Sequence, residues 1–311
     1  MSTAYLTHAD AHRHQTPPGH PEQVARIEAI EAALRAPEFS DIQHHDAPRA
    51  EEAQLLLCHP QDYIDRIRMA IPAAGIYQLD ADTHVSNGSF DAALRAAGGA
   101  CHAVDLVMDG QAANAFVAMR PPGHHAERAT PMGFCLFGTI AIAARHAMER
   151  HSLSRVAVVD FDVHHGNGTQ DLLWDEERAF FVSSHQMPLW PGTGCREERG
   201  AHGQVMNVPL APGTDGAKFR RIYEDTVLPQ LDRFAPELVL ISAGFDAHRN
   251  DPLAELALVE EDFAWVTGEL CDIAARHSAG RVVSCLEGGY DLDALSASVR
   301  AHIRVLMEKG A

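Results

Sequence analysis

The chain has 311 residues, of which 46% are hydrophobic and 22% charged, a globular composition with room for one large domain or two smaller ones. Its formal net charge of −18 argues against a nucleic-acid partner, which needs a basic surface, and favours weak long-range attraction of cationic partners. No apolar run approaches the ~20 residues that span a bilayer and no signal peptide is recognisable, so we expect no membrane partner. The six cysteines lack CxxC spacing, which favours reduced thiols in a cytoplasmic protein.

Hydrophobic periodicity predicts alternating helices and strands along the first half of the chain. Residues 3–7 are predicted to form a strand, and a His/Pro/Gly-rich loop separates it from a helix that ends near Leu34. Arg26 on this helix could be solvated or internal, because the spacing favours neither. The further elements predicted are short helices at 50–57 and 60–70, a polar loop at 79–89, an Ala-rich helix at 90–108 and a strand at 115–119.

The second half continues the alternation, with apolar runs that predict buried strands. Strands are predicted at 155–161, 178–183, 205–210, 237–242 and 281–286, and helices at 135–149, 218–233, 260–277 and 292–307. Such alternation predicts an α/β fold with a mostly parallel central sheet. Because no linker, composition break or internal repeat interrupts the chain, we expect one domain over residues 1–311.

Two carboxylates and two imidazoles stand together in the stretch 160–170, directly after the predicted strand 155–161. Ligands bind at the carboxyl ends of strands in open α/β sheets. Asp162 and His164, two residues apart, offer an oxygen and a nitrogen that suit a borderline divalent ion such as zinc. The plainer interpretation is a polar loop with ordinary hydrogen bonds.

Four predicted strands end in polar, glycine-bearing loops, at 119–126, 160–168, 243–248 and 287–290. In a parallel sheet these loops lie along one edge, which would bring together His124, His125, Asp160, Asp162, His164, Asp246 and Tyr290. An Asp/His/Asp zinc site, a histidine base and a tyrosine hydroxyl are the parts that amide or ester hydrolysis needs. Taken singly, the histidines could cap local backbone, Asp246 could cap a helix, and Tyr290 could be a turn residue.

The motifs in these loops resemble those of the histone deacetylase superfamily, the metal-dependent acyl-amide hydrolases that include acetylpolyamine amidohydrolases and bacterial class II-like proteins. The matching segments are 120–126 (RPPGHHA), 133–135 (GFC), 160–170 (DFDVHHGNGTQ), 191–194 (PGTG), 242–247 (SAGFDA) and 286–290 (LEGGY). They extend over nearly the whole chain. The resemblance implies an arginase-like, three-layer α/β/α fold.

The resemblance also implies roles for the residues of the predicted site. Asp162, His164 and Asp246 would bind one zinc ion. His125 would be the general base that activates water, and Tyr290 would polarise the substrate carbonyl. His124, paired with Asp160, would be the electrostatic partner or proton donor. Many members have a carboxylate behind the second histidine. This chain has Asn167 at that position, and class II-like members also have an asparagine there.

Further positions carried over from the family concern the substrate and a potassium ion. Gly133 and Phe134 would line the acyl-lysine tunnel. Opposite them other members carry an aromatic wall residue at or near the position of Leu210, which is apolar here. Asp82 would lie at the rim, and Leu253 replaces the glutamate that some acetylpolyamine-selective relatives carry. A structural potassium ion would have as ligands Asp160, Asp162, His164, Ser183 and Ser184.

Several alternatives stay open at this stage. The substrate could be an acylated lysine, an acetylpolyamine or another small amide, and the metal in the cell could be zinc or iron. A ureohydrolase with two manganese ions would need an Asp-x-His-x-Asp pattern, but the third member is Gly166 here. A member that binds acylated ligands without turnover is less expected, because Tyr290 and both histidines are present. The sequence leaves the oligomeric state open.

Overall fold

In the computed structural model, which describes residues 2–311, the apolar and β-branched runs form the strands of a central sheet. The strands are β1 (Thr3–Thr7), β2 (Gln43–Asp46), β3 (Ile76–Gln78), β4 (His84–Ser86), β5 (Asn114–Val117), β6 (Val156–Asp160), β7 (Ala179–Gln186), β8 (Val205–Leu210), β9 (Leu238–Ala243) and β10 (Val282–Leu286). Eight of them form a wholly parallel sheet in the order β2-β1-β5-β10-β9-β6-β7-β8. The other two, β3 and β4, form an antiparallel hairpin.

Helices cover both faces of the sheet. They are α1 (Val24–Ala33), α2 (Glu52–Leu55), α3 (Gln61–Ala70), α4 (Ser89–Met108), α5 (Thr139–Arg150), α6 (Asn167–Leu172), α7 (Gly216–Ile222), α8 (Leu228–Phe234), α9 (Glu260–His277) and α10 (Leu292–Gly310). Helices α9 and α10 pack on each other and on β9 and β5, with α1 against α10, whereas α4 and α5 pack together on β5, β10, β6 and β9. The two groups therefore lie on opposite faces, which gives the three-layer α/β/α arrangement that was predicted.

The central strands are buried on both faces. Every residue of β5, β6, β9 and β10 is buried, as expected for a parallel sheet with helices on either side. This explains why their sequences are continuous apolar runs rather than alternating ones. No helix within residues 2–311 is long and apolar enough to cross a membrane. The six cysteines are free, and Cys195 is the exposed one among them.

Most predicted elements are present, and the exceptions have physical reasons. The helix predicted from residue 135 begins at Thr139, because residues 120–138 form a long loop that runs over the sheet edge. The predicted loop 79–89 contains β4, and the predicted helix 218–233 is interrupted by a π-helical turn, Tyr223–Val227. The edge strand β2 was not predicted, because its residues are polar and largely exposed and so carry no apolar pattern.

Candidate active site

The loops that follow β5, β6, β9 and β10 meet at one edge of the sheet, as the sequence predicted. These four strands are consecutive neighbours in the sheet and all run parallel. Their carboxyl ends therefore present their loops to the same space. The structure brings together there the predicted residues His124, His125, Asp160, Asp162, His164, Asp246 and Tyr290.

Asp162, His164 and Asp246 form a buried cluster whose donor atoms all lie within 4.8 Å of one another. His164 Nδ1 is 3.1 Å from Asp162 Oδ1 and 3.2 Å from Asp246 Oδ2. Burial and the charge of Asp162 raise the pKa of Asp246 to about 6, so the two carboxylates repel each other there. A cation would relieve this repulsion, and the set of one imidazole nitrogen with two carboxylate oxygens fits a zinc ion.

Backbone amides hold the two carboxylates in place. Asp162 Oδ2 accepts from the Gly288 N–H at 2.8 Å, and Asp246 Oδ1 accepts from the Val163 N–H at 2.9 Å. Glycine is needed at two neighbouring positions, because a Cβ on Gly244 would overlap the Asp162 carboxylate and one on Gly288 would overlap that of Asp246. The cluster is therefore organised by the protein itself.

His124 is paired with a buried carboxylate. Its Nδ1–H donates to Asp160 Oδ2 at 2.9 Å, and its Nε2 lies 3.7 Å from Asp162 Oδ2. Burial alone would lower the pKa of His124, but the charges of Asp162, Asp160 and Glu287 outweigh it and raise this pKa well above its ordinary value. The surrounding carboxylates therefore favour the charged imidazolium form of His124.

His125 has a neutral partner instead. Its Nδ1 is 2.8 Å from Asn167 Oδ1, and the Asn167 amide donates to Glu127 Oε1 at 2.9 Å. Burial, followed by the charges of His124 and His164, holds the pKa of His125 well below its ordinary value. His125 is thus neutral, with its proton on Nδ1 and a lone pair on Nε2.

Tyr290 completes the group from the loop after β10. The Arg26 guanidinium lies 4.8 Å from the centre of its ring. Arg26 itself is buried and donates to the backbone oxygens of Gly289 and Glu287 at 2.6 Å each, so it is internal and supports this loop. Burial raises the pKa of the Tyr290 hydroxyl well above its ordinary value, and Arg26 only partly offsets this. The hydroxyl therefore stays protonated and can donate a hydrogen bond.

A cavity of about 220 Å³ opens above these residues. The residues that line it are mostly apolar and aromatic, and they include two imidazoles and the tyrosine. The lining residues are Asp82, His125, Gly133, Phe134, His164, Leu189, Trp190, Leu253 and Tyr290. All four residues predicted to bind substrate are among them. The arrangement combines an apolar cavity with an imidazole that can accept a proton, a hydroxyl that can donate a hydrogen bond and a cluster of metal-ligating side chains, which are parts that amide hydrolysis can use.

The prediction that a wall lies at or near Leu210 is wrong. Leu210 ends β8 and is buried away from the cavity, and its backbone oxygen accepts from the Met187 N–H. The wall is formed by Leu189 and Trp190, from the loop that follows β7. The Trp190 ring packs edge-on against His125, with ring centroids 4.7 Å apart. This wall is aromatic, and it comes from the loop after β7 rather than from the end of β8.

The turn between β3 and β4 fixes the segment that carries Phe134. Asp82 Oδ1 accepts from the Gly133 N–H at 3.1 Å, and the Phe134 N–H donates to Thr83 Oγ1 at 3.2 Å. Gly133 and Phe134 have φ angles of 56° and 68°, so the backbone turns sharply there. A Cβ on Gly133 would overlap the His125 ring, which explains the glycine. The Phe134 ring lies edge-on to Tyr290, at 5.8 Å between centroids.

Ser183 and Ser184 lie on β7, behind the cluster of Asp162, His164 and Asp246 rather than in the cavity. Ser183 Oγ is 3.0 Å from His185 Nδ1, and the Ser184 hydroxyl donates to the backbone oxygen of Asp160 at 3.4 Å. Ser184 Oγ is also 2.8 Å from the Tyr223 hydroxyl. The serines therefore share the environment of Asp160, and their role as potassium ligands stays a prediction.

Position 166 disfavours a site with two metals. A ureohydrolase pattern would place a carboxylate there, but a Cβ on Gly166 would overlap the Asp160 carboxylate. An aspartate would not fit without movement of the backbone or of Asp160. The neighbouring His165 faces away from the cluster, with Nδ1 2.7 Å from Thr193 Oγ1 and Nε2 3.0 Å from Gln170 Oε1.

Three supporting residues were missed in the sequence. Glu287 accepts from the Gly123 and His124 N–H groups at 2.7 and 3.1 Å, and burial raises the pKa of this carboxyl to about 7. It lies inside the 286–290 motif, so its place in the motif was a usable signal. Glu127 directly follows the matching segment 120–126 and Trp190 directly precedes the segment 191–194, but nothing in their spacing indicates what they contact.

Known proteins are similar to this chain in both sequence and fold. The family model described as "Histone deacetylase domain" matches residues 20–306. A probable deacetylase of Archaeoglobus fulgidus is 36% identical over 299 residues, 94% of this chain and 82% of that protein. A histone deacetylase-like amidohydrolase of Pseudomonas aeruginosa is 41% identical over 254 residues, 80% of this chain and 66% of that protein. The crystal structure of the HDA15 HD domain matches with a TM-score of 0.94 and 32% identity, covering 99% of this chain and 88% of that one. The chain belongs to the histone deacetylase family, and like these relatives it is a hydrolase that acts on amide bonds.

Proposed function

We propose that this protein is a zinc-dependent deacylase that removes acetyl or other acyl groups from lysine side chains or related amines. The observation that carries the proposal is the convergence of Asp162, His164 and Asp246 below an apolar cavity. His125 and Tyr290 line the same cavity, so a base and a hydrogen-bond donor would be available to a substrate bound beside a metal held by this cluster.

These three side chains would hold the zinc ion. Zinc supplies Lewis acidity, which polarises a carbonyl group and makes water more acidic. The buried carboxylates fit this cation because each is already oriented by a backbone amide and because a cation would offset the charge of Asp162, which raises the pKa of Asp246. One nitrogen and two oxygens leave coordination positions for water and substrate.

The pKa values of the two histidines are shifted in opposite directions, and we assign the two side chains different steps. His125 Nε2 carries the lone pair and takes the proton from the attacking water. His124, charged through its pair with Asp160, stabilises the negative charge that develops and returns a proton to the leaving amine. The Tyr290 hydroxyl donates to the acyl oxygen, which becomes more negative as the reaction proceeds.

The walls of the cavity indicate the substrate class. Phe134, Leu189 and Trp190 would enclose an extended methylene chain, while Asp82 lies at the same cavity and offers Oδ2 to a donor on the substrate. Leu253 also lines the cavity, so the carboxylate of some polyamine-selective relatives is absent there. This favours acyl-lysine over acetylpolyamines, whereas the net charge of −18 suits either cationic class.

The test compares metal-free, zinc-loaded and iron-loaded protein on an acetyl-lysine peptide, N-acetylated polyamines and a small neutral amide. We expect turnover of the peptide to require one metal per chain and to be lost on chelation. Turnover that survives chelation, or no turnover of any amide at full zinc content, contradicts the proposal.

Leu253→Glu tests the substrate preference separately. A carboxylate at the cavity should raise kcat/KM for cationic acetylpolyamines relative to the peptide by about fivefold, which corresponds to about 1 kcal/mol of charge interaction near the surface. If wild-type protein already prefers acetylpolyamines, the polyamine alternative replaces acyl-lysine as the substrate class.

A further inference from the structure

A second cluster of metal-ligating side chains lies outside the active site. It consists of Asp105 on α4, His146 on α5 and His151, the residue directly after α5. His146 Nε2 is 2.8 Å from Asp105 Oδ1, and His151 Nε2 is 2.7 Å from the same oxygen. The donor atoms of all three residues lie within 4.8 Å of one another.

We propose that Asp105, His146 and His151 form a second binding site, for a borderline divalent cation such as Zn²⁺. Two imidazole nitrogens lie at hydrogen-bond distance from one carboxylate oxygen, so a cation bound among the three donor atoms would replace these hydrogen bonds. Such a set of two nitrogens and one oxygen suits zinc, and it suits Mg²⁺ poorly because that ion prefers oxygen ligands.

The exposure of the three residues permits entry of an ion. His146 and His151 keep 11% and 15% of their side-chain surface exposed, and Asp105 keeps 35%. The imidazoles are thus largely held by the fold, while the carboxylate faces solvent and leaves a position for water in the coordination sphere. An ion there would be reached from solvent without passing through the catalytic cavity.

The location of this second site predicts a structural effect rather than a catalytic one. Helix α4 precedes β5, whose loop carries His124 and His125, and His151 lies just before β6, which leads into Asp162. The cluster therefore lies near the amino ends of these strands, at the edge of the sheet opposite the active site. A bound ion would link α4 to α5 and so stabilise the packing of two helices on one face of the sheet.

The experiment separates the two sites with Asp246→Asn, which removes a ligand of the catalytic cluster, and Asp105→Asn, which removes one of the second. Zinc content is measured after equilibrium dialysis, and Co²⁺ binding is followed by its visible absorption. Asp232→Asn is the matched control, because Asp232 also accepts from a histidine, His277, but its second partner is Arg276.

We expect two zinc ions per chain in the wild type and in Asp232→Asn, and one in each of the two single variants. Asp105→Asn should keep the deacylase activity. Saturating Zn²⁺ should raise the Tm of Asp246→Asn by about 3 °C or more, and this rise should vanish when Asp105→Asn is added. His151→Gln should reproduce the loss of the second ion.

Two results overturn the second site. One is that Asp246→Asn binds no zinc or cobalt although it is folded. The other is that Asp105→Asn binds as much zinc as the wild type, in which case the cluster is only a carboxylate hydrogen-bonded to two imidazoles. Neither result depends on the catalytic proposal, because activity assays of the zinc-loaded wild type test that proposal separately.

Discussion

Replacing Glu127 by glutamine should slow the reaction without removing the metal, because Glu127 determines which end of the Asn167 amide faces His125. A carboxylate can only accept hydrogen bonds, so the Asn167 Nδ2 group must point towards Glu127, at 2.9 Å. Asn167 Oδ1 then faces His125 Nδ1 at 2.8 Å and holds the proton on that nitrogen. The lone pair of the base is thereby kept on Nε2, towards the cavity.

The expected size of the effect follows from this geometry. A hydrogen bond to a charged group contributes about 1.5–3 kcal/mol, but Glu127 is only half-buried and glutamine can still accept with its oxygen. We therefore expect Glu127→Gln to lose about 1 kcal/mol of transition-state stabilisation, or about fivefold in kcat/KM. Asn167→Ala removes the hydrogen bond that orients His125 and should lower kcat/KM by about 10²-fold.

Asn167→Asp should move the acid limb of the pH profile to higher pH. Burial, His124 and His164 hold the pKa of His125 well below its ordinary value, whereas a carboxylate at Nδ1 would raise that pKa. A general base works only above its pKa, so the rise of kcat/KM with pH would begin later in this variant. The wild-type profile provides the reference.

The assay measures kcat/KM against pH, zinc content and Tm for each variant. The chain offers a matched control in Glu198→Gln, because Glu198 accepts from Gln170 at 2.6 Å and Gln170 lies 3.0 Å from His165, which is outside the cavity. This second chain has the same order of carboxylate, amide and imidazole. Equal kcat/KM values for Glu127→Gln and Glu198→Gln, at equal zinc content, would refute the reasoning.

Three other predictions concern the hydroxyl donor, the metal and the buried charges. Tyr290→Phe should lower kcat/KM by about 10²-fold at unchanged zinc content, and an unchanged rate would exclude the hydroxyl as the oxyanion donor. Asp246→Asn should abolish turnover and remove one zinc ion by metal analysis; retained activity would show that Asp246 is not a ligand. Glu22→Ala should lower the free energy of unfolding by about 3–5 kcal/mol in urea titrations, because the fully buried Arg26 and Arg120 lose their carboxylate partner. A change below about 1 kcal/mol would mean that water or backbone oxygens replace it.

The central strands could be predicted because burial on both faces leaves a clear signal in the sequence. Strands β6, β9 and β10 differ from the prediction by at most one residue at each end. Strand β2 carries no such signal, since its polar residues Gln43–Asp46 lie at the edge of the sheet and pair on one side only. Its pairing with β1 results from tertiary packing, which no local pattern records.

The residues of the site were predictable wherever a strand delivers them. Asp162 and Asp246 follow directly after buried strands, so the parallel sheet alone brings them together. Trp190 and Glu127 are delivered by long loops, whose paths depend on contacts that are distant in sequence. The incorrect assignment of Leu210 has the same cause, because the cavity wall comes from the loop between β7 and β8 and not from the end of β8.

The uncharged side chain of Asn167, next to His125, affects the charges that the adjacent histidines His124 and His125 can carry. The rings of His124 and His125 are 3.9 Å apart, and the charges of Asp162 and Asp160 raise the pKa of His124 against the effect of burial. A carboxylate behind each histidine would favour two adjacent imidazolium ions, and neither could then act as a base near neutral pH. Asn167 fixes the tautomer of His125 without adding charge, so the charged His124 itself helps to keep His125 neutral. The pair can therefore contain an acid and a base at the same pH, although the two residues are identical in type and adjacent in sequence.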